Sequence, residues 1–181
     1  GQRYMVALAN TFTSQIITNT LNKGAAHVAV LDIPDITLTP RFSMVIGNIA
    51  ASDSVAAAQI KQLIQSWISA YNSQLAQNFS NEKRVAIVPF YADFTDEITH
   101  PQAYSLSNVS DTACPATGTD SNGLPTYDFP TCTPTALDAM TGKTAGWWKS
   151  YAFSDGFHPT PYGHQLLAAS VSRALARAGW L

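Results

Sequence analysis

Asp155 and His158 stand three positions apart in Ser154-Asp155-Gly156-Phe157-His158-Pro159-Thr160-Pro161-Tyr162-Gly163-His164. If this turn folds back, the carboxylate can hold one imidazole nitrogen while the other faces a nucleophile as general base. Pro159 and Pro161 fix two backbone angles of the turn, which suits a rigid site. An acid and a base in this order look like two members of a hydrolytic triad, and the missing member is the nucleophile. On spacing alone, the commoner meaning of such a pair is an Asp that caps the next helix and a His on the surface. The catalytic reading expects Asp155 to be hydrogen-bonded to one imidazole nitrogen. It also expects His158 at the mouth of a cleft at the C-terminal ends of the strands.

The elements that must position this pair follow from the apolar pattern. From Gln2 to Asn22, Tyr4, Met5, Leu8, Phe12, Ile16, Ile17 and Leu21 recur at helical spacing, which predicts a helix with one buried stripe, ended by Lys23-Gly24. His27-Val28-Ala29-Val30-Leu31-Asp32-Ile33 is a nearly continuous apolar run, as a parallel strand buried on both faces requires. Pro34 and Pro40 are expected to stop regular structure, and Ile46-Gly47-Asn48 reads as loop. A long helix is predicted from Ser52-Asp53-Ser54, which would cap it, to about Phe79, with Val55, Ile60, Leu63, Ile64, Trp67, Ile68, Tyr71 and Leu75 inward. Arg84 to Tyr91 is a second buried strand, and Asp93 to His100 a short helix. Strand and helix alternate, so the fold class is α/β.

Residues 101–148 are rich in Ser, Thr, Pro, Gly and Asp and hold no period, so they read as one long loop without regular structure, either functional or disordered. Tyr151-Ala152-Phe153 is a short strand into the Asp–His turn. The last helix runs from about Pro161 to Ala178, with Leu166, Leu167, Val171 and Leu175 buried. His164 is expected to be structural, and His27 and His100 ordinary.

The chain has 181 residues, 46% hydrophobic and 12% charged, with a net charge of -2, which fits a folded domain and leaves no basic face for nucleic acid. No stretch is long and apolar enough for a spanning helix. Both cysteines, Cys114 and Cys132, fall in the long loop. A disulfide there would restrain the loop by about 3 kcal/mol and would imply an exported protein, secreted or periplasmic. The alternative is a pair of free thiols in a cytosolic protein.

The residues around the pair carry a family resemblance. Residues 153–168, FSDGFHPTPYGHQLLA, resemble the final block of the GDSL, or SGNH, lipases and esterases, where Asp-x-x-His-Pro-Thr followed by Gly-His carries the triad's acid and base. Residues 24–35, with Thr39-Pro40, are similar to that family's buried strand ending in a Leu-Pro-Asp loop and a Thr-Pro. Val88-Pro89-Phe90-Tyr91-Ala92-Asp93-Phe94, with Ile98, Pro101 and Cys114, resembles its later strand, helix and cysteine. The resemblance implies a flavodoxin-like, doubly wound parallel sheet, with His158 as general base and Asp155 as its orienting acid. It implies hydrolysis of acyl esters without metal or organic cofactor. It looks most like the bacterial lecithinase and acyltransferase branch, which suggests phospholipid esters and contact with a lipid surface. Short-chain esters, acetylated sugars and polyesters remain open, as does acyl transfer.

The family's Gly-Asp-Ser nucleophile block and Gly-x-Asn-Asp oxyanion block are missing. Ser52-Asp53-Ser54 shares Asp-Ser but opens a helix and reads as its N-cap. Two apolar strands also need neighbours on their open edges. The 181 residues are therefore expected to be the C-terminal half of a single SGNH hydrolase domain. A separate N-terminal chain of the same precursor would supply the Ser, and processing would account for Gly1; the alternative is that this half was expressed alone, in which case it is expected to self-associate or be poorly soluble. The loop's Tyr104, Leu106, Leu124, Tyr127, Phe129 and the Trp147-Trp148 pair are expected to line an acyl pocket or form a lid, the alternative being a surface excursion stapled for stability. A catalytically inactive binding or assembly subunit with the same fold is the rival.

Overall fold

The computed structural model describes residues 1–181. Helix α1, Gln2–Asn19, tightens to a 3-10 turn at Leu21–Lys23 and stops at Gly24, whose φ of 100° a residue with a Cβ adopts only with strain. Strand β1, Val28–Leu31, follows. Thr39 is extended and Pro40 is the first residue of helix α2, Pro40–Ala50. This corrects the loop expected there, because Pro blocks a helix interior but suits its first turn. Gly47 and Asn48 are thus helical.

Helix α3 spans Ser54–Phe79. The Asp53 carboxylate accepts the N–H groups of Val55 (3.0 Å) and Ala56 (2.9 Å), so Ser52-Asp53-Ser54 is a helix cap as expected. Strand β2, Val85–Val88, leads to helix α4, Phe90–Thr99. Asp32, just past β1, accepts the Tyr91 N–H at 2.6 Å and so caps α4 from another segment. Burial pushes that carboxyl up against the lowering effect of the Tyr91 and Phe90 amides.

Residues 101–148 are not a structureless loop. They hold strand β3 (Asn108–Thr112), a hairpin of β4 (Gly118–Thr119) and β5 (Pro125–Thr126), and helix α5 (Pro134–Asp138) capped by Thr133. β3 is not legible in the sequence because Asn-Val-Ser-Asp-Thr is mostly polar and none of it is fully buried. Strand β6, Tyr151–Phe153, and helix α6, Pro161–Arg177, complete the chain.

Both principal strand pairs are parallel. β1 pairs with β2 in register Val28↔Val85 to Leu31↔Val88, and β3 pairs with β6 with Asn108 opposite Tyr151 and Thr112 opposite Phe153. The fold is α/β, and each pair is linked through helical crossover segments. The chain divides into two compact units. One comprises Gly1–Asp35, Gln59–Thr95 and Leu167–Leu181, and the other Ile36–Ala58 and Asp96–Leu166.

The first unit's core is Ala9, Val30, Tyr71, Leu75 and Phe79, joined by Met5, Ile16 and Val85 among others. Asn72 clamps the exit of β1 by accepting the Ile33 N–H (2.9 Å) and donating to the Ile33 carbonyl (2.8 Å). The expected stripe of α1 divides: Met5 and Ile16 pack on the core, whereas Tyr4 is 70% exposed and Leu8 and Phe12 are also exposed. On α3 Ile68, Tyr71 and Leu75 are buried, but Val55, Ile60 and Leu63 are exposed. Along α6 the expected leucines and Val171 are half-buried, and Ser170 and Ala174 are the buried residues. No helix is long and apolar enough to cross a membrane.

The second unit's core is Ala113, Leu137 and Trp148, with Cys132, Met140, Trp147 and Tyr151 packed on it. The expected disulfide joins Cys114 to Cys132, with Cα atoms 5.5 Å apart.

Candidate active site

The Asp–His turn is built directly on the end of β6. Phe153, 1% exposed, anchors the strand, and the Ala113 and Cys114 N–H groups donate to the carbonyls of Phe153 and Ser154 at 2.9 and 2.8 Å. The chain then reverses: the Ser154 N–H donates to the His158 carbonyl (2.8 Å) and the Thr160 N–H to the Ala152 carbonyl (3.0 Å). Thr160, fully buried, donates its hydroxyl to the Tyr151 carbonyl at 2.6 Å and accepts the Gly163 N–H at 3.1 Å. It therefore ties the turn to β6 and caps α6, with Pro161 next in line. A Cβ on Gly163 would stand 2.8 Å from the Pro159 Cβ and 3.0 Å from the Ala152 carbonyl oxygen, so the close seat of α6 on this turn requires glycine.

With α6 capped by Thr160, the Asp155 carboxylate is left for the turn itself. It is 8% exposed, and its Oδ1 accepts the N–H groups of Phe157 (2.8 Å) and His158 (2.6 Å). The His158 Nδ1 lies 2.9 Å from Oδ2 and 3.1 Å from Oδ1. Burial alone would raise the Asp155 carboxyl, but the His158 and Phe157 amides and the imidazole outweigh it and hold it below the usual carboxylate range. An ionised carboxylate only accepts hydrogen bonds, so Nδ1 carries a proton and, in the neutral imidazole, the lone pair is on Nε2. The His158 side chain is 67% exposed against 11% for Asp155, so the ring reaches solvent from an anchored base. This is the geometry of an oriented general base, at the C-terminal end of the parallel β3–β6 pair.

Aromatic rings stand beside the imidazole. The Phe129 ring is 5.4 Å from it and nearly perpendicular, and Phe157 packs edgewise on Phe42 at 5.6 Å. Phe129 and Phe157 are 47% and 41% exposed. Arg41 braces this region through its N–H to the Gly156 carbonyl (3.0 Å) and its guanidinium to Asp120 (2.8 Å). Of the expected pocket residues, Leu106 and Leu124 are buried, Trp148 is buried but borders a cavity that Phe129 also lines, and Phe129 lies against the imidazole. Phe129 carries no sequence signal of that role beyond its place three residues before Cys132.

A second Asp–His contact does not stand out in the sequence: His100 Nδ1 lies 2.8 Å from the Asp96 carboxylate on α4. Both side chains there are more than half exposed, so the pair is a solvated surface contact. His27 stacks on Trp180 at 4.2 Å, and His164 is exposed on α6. No three His, Cys, Asp or Glu side chains converge as a metal-binding group would.

The profile of the family described as GDSL-like lipase/acylhydrolase matches residues 5–171. No curated protein matches the chain. The match covers both parallel strand pairs and the whole Asp–His turn, and the chain belongs to the GDSL-like lipase/acylhydrolase family, a family of ester hydrolases.

Proposed function

We propose that the protein is a serine-type carboxylic ester hydrolase in which His158 is the general base and Asp155 its orienting acid. The observation that carries this reading is the anchored Asp155, ionised and bonded to Nδ1, with Nε2 facing outward. A serine attacks the ester carbonyl, its proton passes to Nε2, and Asp155 stabilises the imidazolium. The proton then goes to the leaving alkoxide, and water or an acceptor alcohol clears the acyl-enzyme.

The nucleophile is a Ser in a Gly-Asp-Ser segment outside these 181 residues, on a separate N-terminal chain of the same precursor. Three observations support this part of the reading. The hydrogen bonds of the His158 side chain go to Asp155 alone. β1 pairs on one side only, with Ala29 and Leu31 exposed. Tyr4, Leu8 and Phe12 of α1 present an uncovered apolar face. The partner would extend the sheet into one doubly wound SGNH domain, of which these residues are the C-terminal half. The disulfide fits an exported setting, secreted or periplasmic. Acyl esters, phospholipids among them, are the substrate class, and a lipid surface is one place to meet them.

The test is turnover of p-nitrophenyl esters by the purified protein together with whatever chain copurifies. His158→Ala is expected to abolish turnover while the circular dichroism spectrum is kept. Undiminished turnover would remove His158 from the mechanism. A well-folded wild type with no turnover and no Ser-bearing partner would favour the inactive binding subunit.

A further inference from the structure

We infer that the apolar cavity behind Phe129 is the acyl-chain subsite, and that it takes short acyl groups; this rests on His158 being the general base. The cavity holds about 140 Å³ and is walled by Phe129, Leu137, Trp148, Ala113 and the Cys114–Cys132 disulfide. Its two polar wall residues are already satisfied: Ser154 donates its hydroxyl to the Pro159 carbonyl (3.2 Å) and Thr160 to the Tyr151 carbonyl (2.6 Å). The Trp148 indole N–H donates to Asp138 at 2.9 Å. Nothing in the wall calls for water, so the space suits hydrocarbon.

Phe129 is the residue shared by cavity and imidazole, since its ring borders the one and stands 5.4 Å from the other. The cavity is thus one ring away from the imidazole, within reach of the acyl chain of an ester held beside His158. Size sets the limit. A cavity of about 150 Å³ accepts benzene, so this one holds about six carbons. The disulfide gives the wall its position: Cys132 closes the 3-10 turn Phe129–Thr131, and Cys114 is bonded through its N–H to Ser154, next to Asp155. The covalent link thus runs from the segment bearing Phe129 to the segment bearing the Asp–His pair.

The experiment has a kinetic and a binding arm, both on the purified protein together with whatever chain copurifies. In the kinetic arm, kcat/KM is measured for p-nitrophenyl acetate, butyrate, hexanoate and decanoate. Each added methylene should raise it about fourfold up to about six carbons and then no further. Leu137→Phe, which fills the cavity, should cut the hexanoate-to-acetate ratio at least tenfold, and Phe129→Ala should move the optimum to longer chains. Ratios unmoved by both variants would overturn the assignment. In the binding arm, benzene is titrated while the Trp148 indole resonance is followed by NMR. A saturable shift that Leu137→Phe abolishes is expected, and no saturable shift in the wild type would refute the subsite. Because benzene binding needs no turnover, the two readings fail separately: benzene binding without hydrolysis would fault the esterase reading and, with it, the acyl assignment, leaving only an apolar binding cavity, whereas hydrolysis without benzene binding would overturn the subsite alone.

Discussion

Asp155 serves the turn and the imidazole at once, with two backbone N–H groups on Oδ1 and the His158 Nδ1 on its carboxylate. Asp155→Asn keeps the size of the side chain but removes the charge that orders and stabilises the imidazolium. It is expected to lower kcat by about 10²–10⁴-fold, and because Thr160 caps α6, the helix should survive in circular dichroism. The same residue gives stability a pH dependence. Its carboxyl is held below the ordinary value in the folded protein, so its contribution is present above the unfolded pKa and disappears as the pH falls through the folded one. Urea midpoints at about pH 7 and about pH 3 should therefore lie further apart for the wild type than for Asp155→Asn. Equal separations would mean that the carboxylate is not specially stabilised. The pair itself is legible from Asp155, His158 and the flanking prolines. The part played by Thr160 is not, because its cap and its bond to Tyr151 exist only once the turn has reversed.

Among the elements, the stapled segment between β3 and α5 is the most informative. Cys114 and Cys132 are separated by 18 positions, so replacing both by Ser should lower stability in urea by about 3 kcal/mol. Loss of the hexanoate preference should accompany it, since the wall at Phe129 would be released. A double variant with wild-type stability and selectivity would show that the bridge does not hold that wall. Elements written as a continuous apolar run, β1 and β2, can be read directly from sequence, although β1 is not buried on both faces as the run suggests, since Ala29 and Leu31 are exposed. Those that cannot are β3, whose residues are polar and half-exposed, and α2, whose first residue Pro40 looks like a stop. The stripe of α1 reads as one face because helical periodicity reports an apolar surface without saying what covers it. Met5 and Ile16 find the core, and Tyr4, Leu8 and Phe12 do not.

At the scale of the whole molecule, the chain is a member of the GDSL-like lipase/acylhydrolase family with an oriented histidine, and the proposal to be tested is that these residues supply the acid and base to a serine carried elsewhere. Neither Asp-Ser of this chain is a substitute, since Asp53 is committed to the first amides of α3 and Asp120 to the Asn122 and Leu124 amides and the Arg41 guanidinium. The most direct measurement is labelling of the purified material with a fluorophosphonate, which reacts with an activated serine, followed by peptide mapping. The label is expected on the Ser of a Gly-Asp-Ser peptide outside residues 1–181, and it should be lost in His158→Ala. A label on a serine within the 181 residues, or labelling indifferent to His158, would contradict the account.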